Sequence, residues 1–420
     1  MLFGVISFPG TNCETEAVRA LKKVGFDAKI ILWNESEESF NKCDGFLIAG
    51  GFSYEDRGRS GVISANDKAL DYIKKANKEG KPIIGICNGA QILVESGIVT
   101  DSETPKISLT FNKRVKDGEV QGVYYHEWIY LKNTAKTGRS PFNNFDSLIK
   151  MPIAHGEGRF IIDEEVLKEM KVNDQIVFVY SDENGEVKDE YPINPNGSCA
   201  NIAGVCNKSG NALALMPHPE RSGKLAEDLF IGLKKWIEEN KPQITNHELQ
   251  KGKKIEVKSK ENFDIEFFIK TIITDNSEET IKSALNRKLG KDIYLKRMRH
   301  FGINLDGDSK KEAKKIIETD ELANTNKETV YVKINNEWLV FKKGEGIVKN
   351  DMETFFGKKI IYVCDNEDLI SQAKKPKIEH EGIKVKKIQS AICWVIDFDD
   401  EEKIIQTGIL ANPVSMHIKK

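Results

Sequence analysis

No C-x-x-C pair occurs in this chain of 420 residues, and its seven cysteines are odd in number and scattered. That excludes the common zinc frameworks and a disulfide scaffold, and leaves a reduced, cytoplasmic setting as the expectation. No metal site and no cofactor bound by this chain are predicted. An excess of one charge is missing too: 63 basic residues stand against 65 acidic ones, for a net charge of -2. No whole-chain field exists to draw in nucleic acid or an anionic membrane. The basic stretches KKIEVKSK and GIKVKK carry no interleaved aromatics and read as solvated faces. No apolar run approaches the roughly 20 residues of a membrane span. The opening MLFGVISFPG has no basic n-region and no small-residue cleavage site, so no signal peptide is expected.

The length predicts two or three domains. Over residues 1–240, short apolar runs (LFGVISF, AKIILW, GFLIAGG, KPIIGI) alternate with amphipathic segments such as CETEAVRALKKVGF and NDKALDYIKKANKEG. Buried strands separated by helices predict a parallel α/β sheet. Residues 241–260 are polar and weakly periodic and read as a linker. Beyond them the chain looks duplicated. ELANTNKETVYVKI (321–334) and ILANPVSMHIKK (409–420) share Leu-Ala-Asn, each after a short charged helix and before a strand. Two small α+β units are predicted, 261–336 and 337–420, with a ferredoxin-like fold.

KPIIGICNGAQ (81–91) carries the chemistry. A buried strand turns into a helix at Cys87, with Gly85 and Gly89 at minus two and plus two. This is the G-x-S-x-G elbow with sulfur in place of oxygen. It projects the side chain off the carboxyl edge of the sheet, at a helix N-terminus that favours an anion. A nucleophile needs a base, and LALMPHPER (213–221) supplies one. His218 and Glu220 share a face of an extended segment stiffened by Pro217 and Pro219. His218 takes the thiol proton while Glu220 orients the ring. Gly50-Gly51 ends another strand, and the amide of Gly51 or Phe52, with that of Asn88, is the expected oxyanion hole. Cys13 lacks elbow glycines and is expected to pack.

GICNGAQ with a downstream PHPE resembles the triad-type, class I glutamine amidotransferases. FPGTNCETE (8–16), GGFSYEDRGRSG (50–61), MPIAHGEGRF (151–160) and NPNGSCANIAGVCNKSGNALALMPHPER (194–221) narrow the resemblance to the PurQ-type glutaminase of phosphoribosylformylglycinamidine synthase. The resemblance implies a flavodoxin-like glutaminase domain that splits glutamine through a Cys87 thioester. It places Gln91 near the bound glutamine. Ammonia would pass to a separate PurL-type synthetase subunit, which binds the ATP and Mg, in purine synthesis. His155, Gly156 and Glu157 are expected to contact substrate or that partner. EKIIQTGILANPVSMHI is similar to the end of the small PurS subunit. The tandem units would then pair internally as a PurS dimer does, bridging to the synthetase, with the linker fixing their ratio and raising their effective concentration. Many family members read FSYGD-x-LR-x-G where this chain has Glu55 and Gly58. Two other readings compete: an elbow-cysteine hydrolase of the PfpI type, which lacks a late His-x-Glu, and a catalytically silent scaffold of the same complex, which would not need all three triad residues.

Overall fold

The computed structural model describes residues 1–116, 119–122, 124–143, 148–239, 249–350 and 357–420. Two compact units are present, Met1–Lys254 and Ile255–Lys420. Among the described residues no helix is long and apolar enough to cross a membrane.

In the first unit five parallel strands lie in the order Asp27–Leu32, Leu2–Ser7, Gly45–Ile48, Ile83–Ile86 and Ala212–Leu215. That is the 2-1-3-4-5 order of a flavodoxin-like sheet, in which ligands bind beyond the carboxyl ends of the strands. The middle strands are apolar at every position because helices cover both faces; Gly45–Ile48 and Ile83–Ile86 are wholly buried. Four antiparallel strands, Ile202–Cys206, Ile176–Ser181, Tyr125–Asn133 and Ile149–His155, extend the sheet past Ala212–Leu215.

The division between the two units falls within the predicted 241–260 linker, part of which is hydrogen-bonded. Residues 241–248 lie outside the described residues, but the rest is tied down. Gln250 N–H donates to the Asp101 carbonyl at 2.9 Å, and the Gln250 carbonyl accepts from Glu103 N–H at 3.1 Å. The Thr104 hydroxyl donates to Lys253 O at 3.0 Å. Glu256–Lys258 pairs in parallel with Met416–Lys419 in the second unit. Polar side chains suggested free chain, yet backbone groups pair whatever side chains they carry.

The second unit consists of two like-ordered repeats. Each runs strand–helix–strand–helix–strand: Ile265–Thr271, Asn276–Leu289, Tyr294–Leu305, Ser309–Glu318 and Glu328–Ile334, then Lys359–Asp365, Leu369–His380, Val385–Asp397, Glu401–Gln406 and Met416–Lys419. All four helices are N-capped by an aspartate: Asp275, Asp308, Asp368 and Asp400. The shared tripeptide makes the same turn twice. Asn324 Oδ1 accepts from Asn326 N–H at 3.0 Å, and Asn412 Oδ1 from Val414 N–H at 2.9 Å. Thr319 and Thr407 hydroxyls each donate to the carbonyl three residues back, Ile316 and Ile404. Duplication is therefore written in hydrogen bonds as well as in letters.

The repeats are not ferredoxin-like units, which run βαββαβ with four strands. Each strand–helix–strand–helix–strand repeat has three, and the two repeats meet edge to edge. The long strands Tyr294–Leu305 and Val385–Asp397 pair antiparallel along their length, making one continuous sheet. The expected start of the second repeat at 337 also shifts: Glu337–Lys342 pairs with Glu328–Ile334 and extends the first repeat's edge.

One face of this sheet packs Ile265, Phe267 and Ile303 against Ile316, Ile317 and Ile378 of the helices. The other gathers Phe268, Met298, Tyr362 and Cys393 beside a buried Glu266. Lys260 Nζ lies 2.7 Å and His300 Nε2 3.0 Å from the Glu266 carboxylate. Burial alone would raise its pKa, but these partners hold it at about 2, below its ordinary 4.5. A depressed carboxylate stabilises the fold above its unfolded pKa and loses that contribution as pH falls through the folded value. The second unit is expected to lose stability between about pH 4.5 and pH 2. Acid titration followed by circular dichroism should show that loss, and Glu266→Gln should flatten it.

Candidate active site

Cys87 joins Ile83–Ile86 to the helix Asn88–Glu95 with φ 51° and ψ -107°. A residue with a Cβ holds such a backbone only when its surroundings impose it. Here they do. A Cβ on Gly89 would collide with the carbonyl of Ile48, and one on Gly85 with the carbonyl of Gly89. The helix thus leaves its strand at a closeness only glycine permits, and the elbow lifts the sulfur to 3.7 Å from the Ala154 carbonyl.

His218 reaches the same edge because Ala212–Leu215 runs parallel to Ile83–Ile86. Its N–H donates to the Pro152 carbonyl at 2.9 Å. Its Nδ1 lies 2.6 Å from Glu220 Oε1, with the two side chains only 3% and 1% exposed. Nε2 is buried without a hydrogen-bond partner. A methyl on Gly50 would stand 3.0 Å from His218 Cε1, 3.4 Å from Cys87 Cβ and 3.3 Å from Cys13 Sγ, so base, nucleophile and a second thiol flank one glycine. Burial opposes a charge on His218, but the Glu220 carboxylate and the Cys87 sulfur outweigh it and hold its proton affinity well above the imidazole range.

Of the expected oxyanion donors, the Phe52 amide is already given to the Gly10 carbonyl at 3.0 Å and does not serve in this conformation. Gly51, at φ 143°, keeps its N–H out of any such bond. The Asn88 amide opens the helix. The Asn88 side chain is a brace: its Oδ1 accepts from Ser53 N–H at 3.1 Å, and its Nδ2 donates to Gln91 Oε1 at 2.9 Å and Asp56 Oδ1 at 3.3 Å. Burial pushes Asp56 up to about 6, against a hydrogen bond from Ser60.

Gln91 is engaged at both ends. Besides Asn88, its Nε2 donates to the Glu157 carbonyl at 2.6 Å, which fastens the 155–159 loop to the elbow helix. His155 is buried, with Nδ1 3.2 Å from Asn112 Oδ1. Burial, then the nearby His218, push its pKa down to about 3, so it stays neutral and moves no proton at ordinary pH. Gly156 and the Glu157 carboxylate remain at the half-exposed rim, where the carboxylate meets Ser60 N–H at 3.4 Å. Two groups went unassigned by sequence reasoning. Arg221 Nη2 donates to Cys13 Sγ at 3.0 Å. The Tyr180 hydroxyl is buried without a partner, its pKa raised by burial and then by the Cys87 sulfur. Only the sheet order, with Leu2–Ser7 beside Gly45–Ile48, brings Cys13 here.

Residues 3–246 match the family model described as the CobB/CobQ-like glutamine amidotransferase domain. The chain belongs to that glutamine amidotransferase family. It is 43% identical over 227 residues to "Phosphoribosylformylglycinamidine synthase subunit PurQ" of Methanothrix thermoacetophila, covering 53% of this chain and 87% of that protein. Identity to the protein of the same name from Methanocaldococcus jannaschii is 40% over 237 residues, covering 56% and 95%. Among solved structures, "Structure of PurLQS from Thermotoga maritima" shares 32% identity at a TM-score of 0.46, covering 56% of this chain and 98% of that one. The enzyme is thus a glutamine amidotransferase, and the candidate site lies within the matched residues.

The 50–61 loop holds Tyr54, Glu55 and Asp56 all at positive φ, 51°, 56° and 51°. Glu55 is exposed and its carboxylate meets Arg57 at 2.8 Å. An L residue in this region is strained by about 1 kcal/mol or more, and glycine is not. Glu55→Gly is expected to stabilise the first unit by about 1 kcal/mol. Denaturant unfolding measures it, and an unchanged midpoint would show that the turn carries no strain.

Proposed function

We propose that the chain is the glutaminase of phosphoribosylformylglycinamidine synthase, acting through Cys87, His218 and Glu220 and delivering ammonia to a separate ATP-dependent synthetase for purine synthesis. The observation that carries this reading is the buried His218–Glu220 pair, whose free Nε2 shares the Gly50 flank with Cys87. The PurQ names of relatives at 40–43% identity supply the pathway.

Cys87 passes its proton to His218 Nε2, and the sulfur attacks the side-chain amide carbon of glutamine. The developing oxyanion meets the Gly51 and Asn88 N–H groups. His218, held by Glu220, returns its proton to the departing nitrogen, and ammonia leaves. The same Nε2 then draws a proton from water, which opens the thioester and frees glutamate. Gly156 and Glu157 line the approach of glutamine, with Gln91 as the strut behind them. ATP and Mg act on the partner synthetase. Seven free thiols suit a reducing cytoplasm. The paired repeats of the second unit take the place of a PurS dimer and bridge to the PurL-type subunit.

Ammonia release from glutamine, with and without the synthetase, tests the catalytic reading. Stimulation by the synthetase is expected, with a fall of ~10³-fold or more in Cys87→Ala. Retained activity in that variant would remove the mechanism. Residues 255–420 alone are expected to sediment as a compact monomer. A dimer of that fragment would show that the repeats pair between chains.

A further inference from the structure

We infer that Cys13, His218 and Glu220 form a binding site for a soft divalent cation, zinc above all, and that its occupation switches the glutaminase off. One ligand atom from each lies within 4.8 Å of the other two. Sulfur, imidazole and carboxylate make a zinc donor set; in a tetrahedral shell with bonds of about 2.0–2.3 Å such atoms stand roughly 3.3–3.8 Å apart. An inward movement of about an ångström would bring the three atoms to zinc distances, with water in the fourth position. The cysteine spacing gave no hint of this, because the ligands come from positions 13, 218 and 220, which only the sheet edge unites.

A second observation points to a ligand. Glu220 meets the imidazole through Oε1, while its Oε2 is buried with no hydrogen-bond partner among the described residues. The Glu220 side chain is 1% exposed, so that oxygen bears an uncompensated desolvation cost. A small cleft of about 40 Å³ lies against Glu220. Glu16 and Glu227 share its lining, with Arg19 and Lys23. Arg221, now 3.0 Å from the Cys13 sulfur, has an exposed side chain and can withdraw into solvent as the metal arrives.

The chemistry of inhibition follows from which nitrogen is taken. The Cys13 thiol proton passes to water as the sulfur binds. The metal takes the lone pair of His218 Nδ1, and the single ring proton that Nδ1 shares with Glu220 moves to Nε2. Nε2 has no lone pair to take a proton from Cys87 or from water, and a neutral imidazole N–H is too weak an acid to release ammonia. Hydrolysis stops without the metal touching Cys87.

The test uses the full-length chain and zinc chloride. Affinity and stoichiometry are read by competition with a chromophoric chelator, and ligation by X-ray absorption. Wild type and Cys87→Ser are expected to bind one zinc equally, through one sulfur and nitrogen or oxygen. Cys13→Ala and Glu220→Gln should bind at least tenfold more weakly, with Cys13→Ser as a second variant should the alanine form fold poorly. In the glutaminase assay Cys13→Ala keeps its activity but needs at least tenfold more zinc for half-inhibition. Zinc held equally by the Cys13 variants, or lost in Cys87→Ser, would place the metal on the nucleophile and base and overturn the proposal. The binding arm requires no glutamine turnover, so its failure is distinct from failure of the glutaminase reading, on which only the inhibition arm rests.

Discussion

The approach of three strand ends to within a methyl group of one another is the constraint on which the site depends. Gly89 lies against the Ile48 carbonyl, and Gly50 stands between His218, Cys87 and Cys13. A Cβ on Gly89 cannot be accommodated, and one on Gly50 would press on the reacting side chains. Because the protein interior is close-packed, an added carbon there would be answered by movement of the backbone that carries the reacting atoms. The positive φ of Cys87 follows from the same crowding: the helix can start where it does only if the residue before it accepts an unfavourable backbone.

Charge is arranged around that framework by burial and partner together. Two histidines near the sulfur are both buried, and they diverge. His218 has a carboxylate at 2.6 Å and gains proton affinity; His155 has only the Asn112 side-chain amide and loses it. A neutral His155 leaves the proton traffic to one ring. The uncharged braces around the elbow, Asn88, Gln91 and Asn112, fix loops by hydrogen bonds and add no competing acid.

Local patterns proved most legible where one short segment dictates its own geometry. The elbow could be read from Gly85, Cys87 and Gly89, and the His-x-Glu pair from its spacing and flanking prolines. Groups assembled from distant segments were not legible. Cys13 and Arg221 are 208 residues apart in sequence, and nothing in either neighbourhood announces their contact. The Phe52 amide was an equal candidate until the pairing of residues 10 and 52 committed it elsewhere. The duplicated tripeptide revealed two repeats but not their strand count, since whether an edge is filled by a fourth strand or by a neighbour is decided by tertiary pairing. The 249–258 segment failed for a related reason: its polarity described its side chains, and its backbone bonds fixed its place.

The continuous sheet of the second unit, with its two like-ordered halves in one polypeptide, has an evolutionary corollary. In a dimer of identical chains every substitution appears twice and must suit both places at once. Here it appears once. One half carries the Glu337–Lys342 and Gly346–Lys349 ribbon at its outer edge, and the other pairs with Glu256–Lys258 at its own. Two halves carried in one polypeptide are free of that obligation, so each border of the sheet can drift toward a task of its own.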